Sequence, residues 1–98
     1  MRKPFRGALE VASGAPLLVD AEIGRGHRLD VLSQGEFPVG APPAAPALPN
    51  TGSLLRVNWN GTLTPIATEL DVPTSVEFIG TKAFVVTLGG EVWTLALP

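Results

Sequence analysis

The sequence predicts an all-β chain, and three observations support that prediction. Short runs of β-branched and aromatic residues alternate with turn residues, above all after residue 52. Glycine (11 residues) and proline (10 residues) are frequent in a chain of 98, which suits many turns between short strands. Two stretches of the chain also share one strand pattern, so we expect the strands to repeat as a unit.

The N-terminal third is predicted to hold two strands, Ala8–Ala12 and Leu17–Glu22, with a turn at Ser13-Gly14 between them. Residues 23–51 then read as an insertion without strands. Its tract 41–49 contains four prolines, which favour extended polyproline II and exclude a regular helix. We therefore expect the insertion to be a surface loop.

The C-terminal half is predicted to form five strands. Asn60-Gly61 lies between the first two, and this dipeptide is typical of a type I′ hairpin because both residues tolerate positive φ angles. Gly80-Thr81 and Gly89-Gly90 mark later turns, and Asp71-Val72-Pro73 marks a connection between strands. The predicted strands are Ser53–Asn58, Thr62–Ala67, Thr74–Phe78, Ala83–Leu88 and Glu91–Leu95.

The repeat has two spacings. A shift of 67 places Leu9 on Val76 and Leu17 on Phe84, whereas a shift of 38 places Leu55 on Trp93. The difference corresponds to an insertion of 29 residues in the first unit. A unit of 38 residues is close to the roughly 40 to 45 of a four-stranded propeller blade.

These spacings predict a partial β-propeller of about 1.75 four-stranded antiparallel blades within a single domain, residues 1–98. Blade one spans residues 8–67 and includes the insertion 23–51. Blade two spans residues 74–97 and lacks its last strand.

Several motifs resemble a known family. They are Asn60-Gly61-Thr62, Gly52-Ser53-Leu54-Leu55-Arg56-Val57 and Leu70-Asp71-Val72-Pro73-Thr74-Ser75-Val76-Glu77-Phe78-Ile79-Gly80. Together they resemble the six-bladed propeller repeats of the ScyD/ScyE family, which is related to NHL-repeat and senescence-marker-protein/gluconolactonase propellers. The resemblance implies a fold, with this chain as a fragment, and implies no chemistry.

The gluconolactonase-like relatives hold a metal in a central channel through Glu, Asn and Asp side chains from several blades. Those ligands come from widely spaced blades, and this chain supplies fewer than two. No catalytic, cofactor-binding or metal-ligating residue is therefore predicted here.

Composition excludes several classes of partner. Seven Lys and Arg against nine Asp and Glu give a net charge of -2, so the positive charge that nucleic-acid binding requires is not indicated. The apolar stretches are far shorter than the roughly 20 residues of a membrane-spanning helix. No signal peptide is predicted, because Glu10 interrupts the short apolar run that follows the basic N-terminus. Localisation stays open, as does secretion of full-length relatives.

Two sets of acidic or titratable residues are candidates for an interaction site. Asp20, Glu22 and His27 lie together in sequence at a strand end, and such side chains bind divalent metals or transfer protons. The alternative, which we favour, is three polar loop residues in solvent. Glu10 and Glu77 match under the shift of 67 and would face the propeller channel or an exposed edge.

The sequence favours a non-enzymatic propeller fragment that acts as a scaffold or interaction module. One alternative is a piece of a metal-dependent, lactonase-like hydrolytic propeller whose active site needs other blades. Another is a truncated reading frame without a function of its own. Because repeat units need about three neighbours to bury a continuous core, we expect self-association or a partner chain that supplies the missing blades.

Overall fold

The computed structural model describes residues 8–40, 42 and 45–97, and of Arg25 it describes the backbone. Predictions about the basic N-terminus and about Ala41, Pro43 and Ala44 of the proline tract lie outside these residues. The all-β prediction is confirmed. Seven strands are present, and one 3-10 turn, Arg25–His27, is the only helical element in the described part of the chain.

The strands form two antiparallel sheets in which neighbours in sequence are neighbours in space. The first sheet contains β1 (Leu18–Ile23), β2 (Leu29–Ser33), β3 (Gly52–Val57) and β4 (Leu63–Leu70) in that order. The second contains β5 (Pro73–Ile79), β6 (Lys82–Thr87) and β7 (Val92–Ala96). Four strands followed by three are consistent with one propeller blade and most of the next.

The strand assignment of the N-terminal half was wrong in two places. Residues 8–12 form no strand, and the predicted insertion contains β2, which pairs with both β1 and β3. Leu17–Glu22 nearly coincides with β1, which is the first strand of its sheet and not the second. The insertion outside the sheet is therefore residues 34–51, between β2 and β3.

The shift of 67 does not relate the two sheets. Ile23 pairs with Leu29 at the end of the first hairpin, and Ile79 pairs with Lys82 at the equivalent place, so β1 corresponds to β5 with a shift of 56 (79 minus 23). Leu32 pairs with Leu54 and Val85 pairs with Trp93, which relates β3 to β7 by 39 (93 minus 54), one residue from the predicted 38.

The turn between β3 and β4 has three residues. The Gly61 N–H donates to the Asn58 carbonyl over 3.0 Å, and the Asn58 N–H donates to the Thr62 carbonyl over 2.8 Å. Gly61 has a φ of 84° and Asn60 has no positive φ, so this is a type I turn with a bulge and not the predicted type I′ turn. Gly90, with a φ of 90°, closes the turn between β6 and β7 in the same way.

The core lies between the sheets. Leu32 and Leu54 of the first sheet pack with three residues of the second, Val76, Ala83 and Val85, and each of the five is at most 1% exposed. Antiparallel pairing fixes this arrangement because alternate residues of each strand face the same side.

The two outer faces of the molecule differ. On the first sheet, Val31, Ser33 and Leu55 point away from the core yet are buried. The Ser33 hydroxyl donates to the Pro16 carbonyl over 2.6 Å, and Ala47 of the insertion is also buried, so segments of the chain itself lie on this face. On the second sheet the outward residues Ile79 and Val92 are 67% and 68% exposed.

Truncation of the core is expected to be costly. Leu54→Ala removes a fully buried side chain and should lower the free energy of unfolding by about 2–5 kcal/mol, or unfold the chain. Val39→Ala is the control, because Val39 is fully exposed and its truncation should change stability by less than about 0.5 kcal/mol. Urea denaturation measures both, and equal effects would contradict this core.

Candidate functional site

Asp20, the first predicted site residue, joins the two sheets. Its Oδ2 accepts a hydrogen bond from the Val76 N–H of β5 over 2.9 Å, and its Oδ1 accepts one from the Ala21 N–H over 2.9 Å. Val76 is 1% exposed, so its N–H has no access to bulk water. The carboxylate therefore has a structural role that ties β1 to β5.

Glu22 follows on the same face of β1, close to Glu77 of β5. The Glu77 carboxylate raises the pKa of Glu22 above its ordinary value of 4.5, and partial burial and Asp20 act in the same direction. The structure therefore brings Asp20, Glu22 and Glu77 together at the edge where β1 meets β5. Glu10 precedes β1 outside any strand, so the predicted match of Glu10 with Glu77 on two inner strands is wrong.

His27 lies apart from this acidic edge. It is exposed in the turn after β1, and its backbone has a φ of 59°, which residues other than glycine rarely adopt. Within the described residues, no hydrogen bond or ion pair joins it to Asp20 or Glu22, and no cluster of three His, Asp or Glu side chains is arranged to hold a metal ion. The structure therefore separates the third predicted site residue from the first two.

The sequence analysis did not predict a buried ion pair between Asp30 and Arg56. Asp30 on β2 is fully buried, and its Oδ1 lies 3.3 Å from the Arg56 Nε of β3. Its Oδ2 has no partner among the described residues and faces Gly24, where a Cβ would collide with it. Burial raises the pKa of Asp30, while the charges of Arg56 and Arg28 oppose that shift.

Arg56 also lines a concavity at one end of the first sheet, which we call the turn pocket. It is an open concavity of about 900 Å³ between the β1–β2 turn and the β3–β4 turn. Its lining includes His27, Arg28, Arg56, Asn58, Trp59 and Asn60. Among the described residues, no Asp or Glu lines this pocket, although the chain as a whole has a net charge of -2.

A second concavity, the inter-sheet groove, lies between β4 and the second sheet and holds about 370 Å³. Leu70, Val85 and Leu95 provide apolar walls, while Trp93 is 54% exposed and its Nε1 donates to the Glu91 carboxylate over 3.2 Å. This groove therefore marks where the packing between the two sheets ends.

No family model, curated protein or solved structure matches this chain. The ScyD/ScyE resemblance therefore stays a prediction. The described residues contain no helix with the length and hydropathy needed to cross a membrane.

Removal of the Asp20 carboxylate should destabilise the contact between the sheets. Asp20→Ala leaves the buried Val76 N–H without its acceptor, so we expect the free energy of unfolding to fall by about 1–3 kcal/mol. Asp71→Ala is a matched control, since within the described residues the Asp71 carboxylate accepts a single hydrogen bond, from the exposed Asn50 N–H over 3.3 Å. Equal losses in denaturant titrations would show that the bond between the sheets has no special role.

The acidic edge should make stability depend on pH. The folded-state pKa of Glu22 is raised, so the folded chain binds this proton more tightly and loses stability as pH rises through that pKa. Glu77→Gln removes the main cause, and the variant should be more stable than wild type at pH 7. The difference should vanish as the pH falls below the raised pKa and Glu22 becomes neutral.

Thermal unfolding between pH 4 and pH 8 measures this difference. Glu36→Gln is the control because Glu36 is an exposed residue in the insertion, away from the acidic edge. A stabilisation by Glu77→Gln that is the same at every pH would contradict repulsion between Glu22 and Glu77.

Proposed function

We propose that this chain is a non-enzymatic piece of a β-propeller that acts as a scaffold, and that its second sheet binds a second copy of the chain. The observation that carries the proposal is the edge of β7. β7 is the last strand of the second sheet, and within the described residues its outer edge has no partner. Such an edge offers a row of backbone donors and acceptors to another strand.

The composition of β7 supports pairing at this edge. Val92–Ala96 reads VWTLA and contains no charged residue and no proline. Natural edge strands commonly carry such residues because they prevent contact with other chains. The last strand of the first sheet, β4, contains both Pro65 and Glu69. The two edges therefore differ in how well they resist strand addition.

The exposure of the two outer faces also supports contact through the second sheet. The chain's own segments lie over the middle of the outer face of the first sheet, where Val31, Ser33 and Leu55 are buried, although Ile23 at the end of β1 is 61% exposed. The second sheet exposes Ile79 and Val92 and leaves Val86 38% exposed. Contact between two copies through their second sheets would cover these exposed apolar side chains. This contact uses the same surface on both partners, as in a two-fold dimer.

Antiparallel pairing of β7 with the β7 of the copy would join two three-stranded sheets into one of six strands. With the two-fold axis at Thr94, the middle residue of β7, threonine faces threonine and apolar residues face apolar residues.

Sedimentation equilibrium tests the proposal. The wild-type chain should be a dimer at concentrations of about 10–100 μM, which is the affinity range of modest interfaces. Thr94→Lys places two like charges opposite each other and should shift the population to monomer with unchanged β-sheet circular dichroism. Thr68→Lys, at an exposed position of β4, should leave the dimer intact. A wild-type monomer that unfolds cooperatively would overturn the proposal.

A further inference from the structure

The turn pocket contains two arginines, Arg28 and Arg56, without an acidic residue in its lining. Asp30 holds the Arg56 side chain in place, because the Arg56 Nε lies 3.3 Å from the fully buried Asp30 carboxylate. This contact engages one guanidinium N–H and leaves the terminal nitrogens of Arg56 without a partner among the described residues. Asp30 offsets one positive charge, so the two arginines leave a net charge of about +1 at the pocket.

Trp59 supplies a flat aromatic surface beside these charges. It occupies the first position of the β3–β4 turn and is completely exposed, with 106% relative accessibility. A side chain with this exposure contributes no packing to the fold. An exposed indole ring can stack on another planar ring, and such stacking is worth about 1–3 kcal/mol for a base.

The polar groups of the pocket are held in fixed orientations. The Asn58 Nδ2 donates to the Thr62 and Thr64 hydroxyls over 3.0 and 2.8 Å, which leaves its Oδ1 as an acceptor for a ligand. The Asn60 Oδ1 accepts from the Thr62 N–H and hydroxyl over 3.1 and 2.6 Å, which leaves its Nδ2 as a donor. The pocket thus offers one acceptor and one donor beside the indole ring.

We infer that the turn pocket binds a nucleoside monophosphate, with the base stacked on Trp59 and the phosphate bound by Arg28 and Arg56. Guanidinium groups bind phosphate through paired charge-assisted hydrogen bonds. The Asn58 and Asn60 amides are complementary to the donor and acceptor on the edge of a base. The volume of about 900 Å³ lies within the range of small-molecule sites and accommodates a mononucleotide.

The charge of the whole chain favours a free nucleotide over a nucleic acid strand. A polyanion would meet a protein of net charge -2, whereas a mononucleotide meets only the local positive charge of the pocket. The site is also distinct from β7, so its occupancy does not depend on association between copies.

Fluorescence of Trp59 provides the test. The chain contains two tryptophans, so Trp93→Phe leaves Trp59 as the single reporter. With excitation at about 295 nm, adenosine monophosphate should quench this signal in a saturable way, with a dissociation constant of about 0.1–1 mM. Adenosine, which lacks the phosphate, and ribose 5-phosphate, which lacks the base, should each bind at least about tenfold more weakly.

One substitution tests the role of Arg28 and keeps Arg56, the partner of Asp30; a second is its control. Arg28→Gln should weaken binding of adenosine monophosphate about tenfold. Lys82→Gln is the control, because Lys82 is an exposed cation on β6 that does not line the pocket. Circular dichroism of both variants should match that of the parent chain.

Several results would overturn the inference. Equal binding of ribose 5-phosphate and adenosine monophosphate would reduce the pocket to a general anion site. Tighter binding of a short single-stranded oligonucleotide than of the mononucleotide would assign it to nucleic acid. No saturable quenching up to about 10 mM, or equal losses in Arg28→Gln and Lys82→Gln, would exclude nucleotide recognition at this site.

Discussion

The packing of five apolar side chains between two sheets is the interaction on which the rest of this structure depends. Leu32 and Leu54 contribute one side, and Val76, Ala83 and Val85 the other. A sheet of three or four strands with one apolar face is stable only when that face is covered. Neither sheet therefore has an independent core, and every feature at their boundary depends on this contact.

The Asp20 hydrogen bond belongs to the same boundary. It satisfies the buried N–H of Val76, a core residue, so the polar and the apolar contacts both hold β5 against the first sheet. The nearby Glu22 and Glu77 oppose this contact through repulsion. The boundary between the sheets is thus stabilised by the Asp20–Val76 hydrogen bond and destabilised by the repulsion between the two neighbouring glutamates.

The second sheet was predictable because its signals are local. The predicted Thr74–Phe78 lies within β5, and Ala83–Leu88 and Glu91–Leu95 differ from β6 and β7 by one residue at each end. Glycine turns separate these strands by two to four residues, and their apolar residues alternate as a strand with one buried face requires.

The first sheet was harder to predict because its signals depend on distant residues. β2 contains the charged residue Asp30 at a buried position, and its partner Arg56 lies 26 residues away across the insertion. Asp20 and Glu22 were recognised as a cluster, but the partner of Asp20 is 56 residues further along the chain. Sequence proximity placed His27 beside them, whereas in the structure His27 lies in the turn after β1 and lines the turn pocket.

The covered outer face of the first sheet has a consequence for the size of any assembly. Repeat architectures that expose complementary faces at both ends can add units without limit and grow into filaments. The chain's own segments lie on part of the outer face of the first sheet, and the β4 edge carries Pro65 and Glu69. If copies associate through the β7 edge alone, growth stops after one addition, because each copy has a single such edge.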